Sequence, residues 1–164
     1  SGAVGGPMNT DINGAELILD VDGDSSITAD TDDQIDFKAG GTDRFVLSSA
    51  NAKFNVGAYN AEATLTDAST ISWDVSTSPV AKVTLGGNRT LGAATNAQAG
   101  QFVSILFIQD GTGSRTITFN AAYEHTEDTA PTLTTTASKG DLFVYRYNGS
   151  KFLEVGRNLN LTLS

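Results

Sequence analysis

Residues 101–109 read Gln101-Phe102-Val103-Ser104-Ile105-Leu106-Phe107-Ile108-Gln109, and this stretch decides the fold. Its large apolar side chains fall on both phases of an extended strand. One face would carry Phe102, Leu106 and Ile108, and the opposite face would carry Val103, Ile105 and Phe107. A strand that is apolar on both faces is expected to be buried on both faces.

Two hairpins are predicted around this strand. A turn rich in Gly and Ser, residues 110–114, precedes residues 115–119, so strands 101–109 and 115–119 are expected to pair. The second hairpin would join residues 141–147 to residues 151–155 through Asn148-Gly149. A type I′ turn needs positive φ at both central residues, and Asn-Gly tolerates that conformation best.

The composition indicates an all-β protein. The chain has 164 residues with 17 glycines and no cysteine, and its short apolar runs are interrupted by turn residues about every ten positions. We find no three-turn window with helical apolar spacing. The predicted fold is a short N-terminal β-rich shaft or meander followed by an antiparallel β-sandwich or jelly-roll-like knob.

Charge and turn composition divide the chain into segments. Residues 1–60 contain ten acids and three bases, whereas residues 61–164 contain nine acids and seven bases. We therefore expect a flexible lead or expression remnant at 1–8, an acidic β-rich segment at 9–58 and the knob at 59–164. Residues 9–57 contain too few large apolar side chains to be stable alone as a monomer.

The same composition argues against several classes of function. A net charge of −9 would repel a phosphate backbone, so nucleic acid is not expected as a partner. The longest run of large apolar residues, 105–108, is far shorter than the ~20 residues of a membrane-spanning helix, so no membrane insertion is expected. The absence of cysteine excludes disulfides and thiol nucleophiles.

Asp20, Asp22 and Asp24 form the one motif with metal-ligand spacing. Alternating carboxylates on a turn can supply the oxygen ligands that calcium prefers. The EF-hand pattern is not met, because Gly23 precedes Asp24 and position 31 is Thr. A solvated turn is the favoured interpretation and a calcium site the alternative; no other cofactor is expected.

Tyr123, His125 and Tyr147 are the candidate ligand-binding residues. Tyr147 borders the Asn148-Gly149 turn, while Tyr123 and His125 lie in an acidic loop, so all three could form a surface platform for a receptor. No nucleophile motif accompanies the single histidine, and the scattered acids define no catalytic pair. We therefore expect no enzymatic activity. Trp73 alternates in phase with Ile71 and is assigned to the core.

Two stretches resemble bacteriophage proteins. Residues 60–158 resemble a C-terminal module of phage tail fibres. The matching segments are 93–102, 116–119, 130–134, 141–143 and 148–152. At 120–123 the chain has Asn-Ala-Ala-Tyr where that family commonly has a Trp-containing run. Residues 19–36 are similar to a segment of tail-fibre-like proteins of marine phages.

The resemblance implies a virion structural protein, a tail-fibre or receptor-binding fragment that mediates host attachment. Its implied partners are further copies of itself in a homotrimer and a glycan or protein receptor on the host surface. The alternatives are a carbohydrate-binding module of a secreted enzyme and a capsid decoration protein.

The strand at 101–109 also predicts contact between copies. Because a two-layer sandwich has one inner face per sheet, one apolar face of this strand needs further cover. We assign Val103, Ile105 and Phe107 to that second face, and hence to the trimer interface. Burial of this second face requires that copies of the chain associate, whereas the number three is implied by the resemblance.

Overall fold

The computed structural model describes residues 16–164, so the predicted lead at 1–8 lies outside the described residues. Its contacts divide the chain into two units, Ser1–Tyr59 and Asn60–Ser164. The described secondary structure is almost entirely β, with one 3₁₀ turn at Thr126–Asp128. Within this described part, no helix has the length and apolar content needed to cross a bilayer.

The N-terminal unit is a five-stranded antiparallel meander. Its strands follow chain order: β1 (Leu17–Ile18), β2 (Ser26–Thr28), β3 (Gln34–Ala39), β4 (Thr42–Ser48) and β5 (Ala52–Phe54). Phe37, Phe45 and Phe54 pack in a row, with ring centroids 5.4 and 4.8 Å apart. Phe54 remains 59% exposed, which agrees with the thin apolar content seen in the sequence. Whether this unit is stable alone stays a prediction.

The C-terminal unit contains two sheets. The six-stranded sheet has the order β12-β14-β13-β10-β8-β6, and the three-stranded sheet has the order β11-β9-β7. The strands are β6 (Ala63–Thr64), β7 (Thr70–Ile71), β8 (Val80–Leu85), β9 (Arg89–Leu91), β10 (Phe102–Gln109), β11 (Ile117–Phe119), β12 (Tyr123–Glu124), β13 (Lys139–Tyr147) and β14 (Phe152–Thr162).

One apolar core joins the two sheets. Ile71 and Leu91 enter it from the three-stranded sheet, and Ile105 and Phe143 enter it from the six-stranded sheet. Trp73 is 1% exposed in this core, as its phase predicts, and its indole Nε1 donates to the carbonyl of Ser78 at 2.7 Å. The all-β sandwich is confirmed. The predicted antiparallel arrangement is wrong in part. The six-stranded sheet is mixed, because β10 pairs with β8 in parallel, and the three-stranded sheet is parallel, because β9 pairs with both β7 and β11 in parallel.

The predicted hairpin between residues 101–109 and 115–119 is wrong. β10 lies between β13 and β8, whereas β11 pairs with β9 in the other sheet. Where the chain changes sheets, the Gln109 side-chain amide binds the backbone of Arg115. Its Nε2 donates to the Arg115 carbonyl at 2.9 Å, and its Oε1 accepts the Arg115 N–H at 2.8 Å. A side chain therefore closes this turn in place of a strand ladder.

The second predicted hairpin is confirmed, but its turn type is wrong. β13 and β14 pair in an antiparallel manner on either side of residues 148–151. Only Gly149 has a positive φ (100°), so the turn is not type I′. Asn148 instead accepts the N–H groups of Ser150 and Lys151 at its Oδ1 (2.9 and 2.7 Å), an Asx turn that satisfies the loop locally.

The assignment of the trimer interface to Val103, Ile105 and Phe107 is also wrong. These side chains are only 3, 0 and 1% exposed within a single chain, because their strand phase faces the core. Ile105 lies beside Phe143 of β13 and Ala81 of β8 on that inner face. The opposite phase of β10, which begins at Phe102, points out of the sandwich.

Candidate functional site

The two candidate ligand-binding residues of the acidic loop lie inside the sandwich. Tyr123 is 5% exposed, packs on Phe152 with ring centroids 5.3 Å apart, and donates its hydroxyl to the Gly92 carbonyl at 3.0 Å. His125 is 8% exposed, and its Nε2 lies 3.1 Å from the Tyr145 hydroxyl. The predicted surface platform is therefore wrong for Tyr123 and His125.

Tyr147 is half-buried and does not form a free platform either. Its ring packs against Phe152 with centroids 4.7 Å apart, on the rim of the core. The structure thus brings Tyr123 and Tyr147 to the same Phe152 side chain, and Tyr147 keeps a partly exposed surface, so a receptor contact by Tyr147 stays a prediction. The sequence does not distinguish these two environments, because the apolar ring of a tyrosine packs as well in a core as on a binding surface.

A polar cluster lies beneath the loop that follows β12. Burial lowers the pKa of His125 and raises the pKa of Tyr145, so both side chains are neutral near pH 7. Glu154 pairs with Tyr145 across β13 and β14, and its Oε1 lies 3.2 Å from the Arg157 Nε. The Glu154 Oε2 is buried and, within residues 16–164, has no hydrogen-bond partner.

The loop above this cluster has a constrained backbone. Glu127 and Asp128 have φ values of 58° and 54°, a backbone conformation that residues other than glycine rarely adopt. The Thr129 hydroxyl donates to the Glu127 carbonyl at 3.0 Å and closes the loop. Constrained backbone of this kind is frequent at functional sites.

The loop residues Ala130–Thr132 separate two open clefts. One, of about 450 Å³, is lined by Thr126, Glu127, Thr129, Pro131, Arg157 and Leu159. The other, of about 350 Å³, lies between β11 and residues 130–133. Threonine hydroxyls, a carboxylate and a guanidinium beside Pro131 and Leu159 offer both polar and apolar contacts, an arrangement suited to a polar surface ligand.

Asp141 holds this region to the sheet. Its side chain is almost completely buried, with Oδ2 accepting the Thr134 N–H at 2.6 Å and Oδ1 accepting the Asn160 N–H at 2.8 Å. One carboxylate therefore connects the end of the loop to β14. Sequence reasoning missed Asp141, Glu154 and Arg157, because each occupies an ordinary strand position and no motif in the sequence marks its partners.

The three acids of the predicted metal motif do come together. Asp20, Asp22 and Asp24 each offer an oxygen within 4.8 Å of the others. Asp20 Oδ1 already accepts the N–H groups of Gly23 (3.1 Å) and Ser25 (3.2 Å), as in a solvated turn. Hydrogen bonding from Ser25 is the main cause that lowers the pKa of Asp20. Both interpretations of the motif fit this geometry, and calcium binding stays a prediction.

Comparison with known families identifies the C-terminal unit. Residues 63–151 match the family described as "Putative phage tail fibre C-terminal domain". The chain belongs to this family. The match covers more than half of the chain, from the start of β6 to the turn after β13, and it includes the loop at 126–132 and the cleft beside β11. Among curated proteins, no sequence matches this chain.

Family membership confirms the resemblance of residues 60–158 to a tail-fibre module and gives the chain a structural role in a phage tail fibre, whereas the similarity of residues 19–36 stays a prediction. The protein is therefore a component of the virion. The family is one of structural proteins of the tail fibre.

Proposed function

We propose that this tail-fibre protein attaches the phage to its host, and that its C-terminal unit contacts a glycan or protein receptor on the cell surface. The family match over the sandwich and its loops carries the proposal. The constrained loop at 126–132 supports it, because a fixed loop between two polar clefts presents contacts without an ordering cost on binding.

Binding of the labelled full chain to whole bacteria tests this proposal. We expect binding to cells that the phage infects and loss of binding on receptor-deficient mutants of the same strain. Thr132 is exposed and lines both clefts, so Thr132→Trp should block them and reduce binding at least tenfold. Thr112→Trp, in the exposed turn after β10, is the matched control and should bind normally. Equal binding by both variants would exclude the clefts.

Immunogold labelling of virions tests the position on the particle. Label at the tail is expected for a receptor-binding fibre, whereas label over the capsid would favour a decoration protein. Selective binding of one soluble polysaccharide, with no binding to host cells, would favour a carbohydrate-binding module instead.

We further propose that the chain acts as a homotrimer. A fibre is built from closed cyclic assemblies, and the apolar content of β10 calls for cover on both faces. Light scattering should give a mass near 51 kDa, three times the 17.1 kDa of one chain. A mass of 17.1 kDa at micromolar concentration would refute it.

A further inference from the structure

The outward face of the six-stranded sheet is an apolar grid. Residues paired across neighbouring strands point to the same side of a sheet. Phe102 and the residues that alternate with it along β10 point away from the core. Together with the residues paired with them on β8 and β13, and the β14 residues paired in turn with those of β13, they make 15 positions. We call these positions the outer face. Eight of them are apolar: Val80, Phe102, Leu106, Ile108, Leu142, Val144, Leu153 and Leu161.

The outer face is open to solvent in the single chain. Phe102 is 58% exposed, and the neighbouring Leu106, Ile108 and Val144 are only half-buried. An open cleft of about 270 Å³ lies on this face beside Phe102, Val80 and Val144. The largest apolar patch on the surface of a monomeric protein is often functional.

We propose that the outer face is the surface through which copies of this chain associate. The inference rests on the homotrimer proposed above and names its contact surface, with Phe102 as the most exposed apolar residue of the face. In a cyclic assembly each sheet turns this face toward the shared axis, and the core-facing phase of β10 takes no part.

The charge distribution favours a second copy as the occupant. The chain has a net charge of −9, so two copies repel each other over most of their surface. None of the 15 positions is acidic, and the two charged residues among them are Lys82 and Arg146. Lys82 is already neutralised by Glu62, with Nζ 2.6 Å from Oε1. Identical chains can therefore approach through this face without acid–acid repulsion.

The size of the face also suits association of copies. Four strands spaced about 4.8 Å apart, with rows about 6.6 Å apart along each strand, cover a flat footprint of about 500 Å². Two such faces in contact would bury about 1,000 Å² in total, which reaches the lower bound of a specific interface.

The test combines one interface variant with one matched control. Phe102→Asp places a charge on the outer face at a position that is already more than half exposed, so the single chain should still fold. Leu159→Asp introduces the same charge at an exposed leucine that lines the cleft beside Arg157. Masses by light scattering at micromolar concentration, with circular dichroism as the check on folding, are compared for the full-length wild type and both variants.

The expected result is about 51 kDa for the wild type and Leu159→Asp, and 17.1 kDa for a folded Phe102→Asp. If wild type and Phe102→Asp are both trimeric, the outer face is not the interface, although the homotrimer stands. A wild type of 34.2 kDa that Phe102→Asp dissociates would support the face and refute the number three. A monomeric wild type would overturn both proposals. Should Phe102→Asp fail to fold, the milder Phe102→Ser replaces it, with the same outcomes.

Discussion

Removal of the Asp141 carboxylate should destabilise the C-terminal unit strongly. In Asp141→Ala the N–H groups of Thr134 and Asn160 lose their acceptor. An unsatisfied buried donor costs about 1–3 kcal/mol. The Asn160 side of the site is exposed, so water replaces part of that bond, and removal of the buried charge offsets a further part. We expect a net loss of about 2–4 kcal/mol in the free energy of unfolding, from the 5–15 kcal/mol typical of a domain.

Urea unfolding followed by Trp73 fluorescence measures this loss. Trp73 is the single tryptophan and lies in the core of the C-terminal unit, so its emission reports the unfolding of that unit. With an m-value of about 1.5 kcal/mol/M, the midpoint should fall by about 1–3 M. Asp141→Asn keeps one acceptor oxygen and should lose roughly half as much.

Asp110→Ala is the control for this experiment. Asp110 also accepts two backbone N–H groups, those of Thr112 (3.0 Å) and Gly113 (2.8 Å), and its Oδ2 lies 2.8 Å from Nη2 of Arg115, but the Asp110 side chain is partly exposed, so water can replace these bonds. Its midpoint should therefore shift much less than that of Asp141→Ala. If the two alanine variants shift the midpoint equally, burial is not what makes Asp141 important and the reasoning is refuted.

Three further predictions concern other parts of the chain. Burial lowers the pKa of His125 below 6.5, so at lower pH the unfolded chain takes up a proton that the folded chain does not. Stability should therefore fall as the pH drops below 6.5. The melting temperature of His125→Phe should depend less on pH between 7.5 and 5.5 than that of the wild type. Calorimetry with calcium should show no heat if Asp20 serves a solvated turn, and a melting temperature lowered by EDTA would support the cation site instead. Residues 9–57 expressed alone should not melt cooperatively as a monomer, and cooperative melting would show that their apolar content suffices.

Local sequence signals predicted the parts of the fold that depend on local chemistry. Asn148-Gly149 located the β13–β14 hairpin because the residues that turn the chain are adjacent in sequence. The turn type was wrong, since the Asn148 side chain satisfies the loop N–H groups and only Gly149 needs a positive φ. The thin apolar content of the first unit likewise predicted an open meander rather than a core.

Features that depend on distant pairing could not be predicted in the same way. The turn after β10 reads as a hairpin turn, but β11 pairs with β9, whose Arg89 lies opposite Ile117 in the other sheet, and local turn residues do not reveal that pairing. The candidate site failed for a related reason. Tyr123 and His125 look like exposed loop residues, yet β12 pairs in parallel with β14 and carries them under the loop, against Tyr145 and Phe152.

The two phases of β10 show what the sequence determines and what it leaves open. Each phase carries three large apolar residues and one polar residue, Ser104 on one phase and Gln109 on the other. The longer polar side chain would be expected outside, but Gln109 is 3% exposed because both polar groups of its amide bind the Arg115 backbone. With that bond Gln109 behaves as a core residue, and its phase turns inward. The apolar pattern of the strand predicts that both faces are covered, whereas the choice of the inner face depends on contacts such as the two Gln109–Arg115 hydrogen bonds, which bury one phase and leave the other turned outward in the single chain.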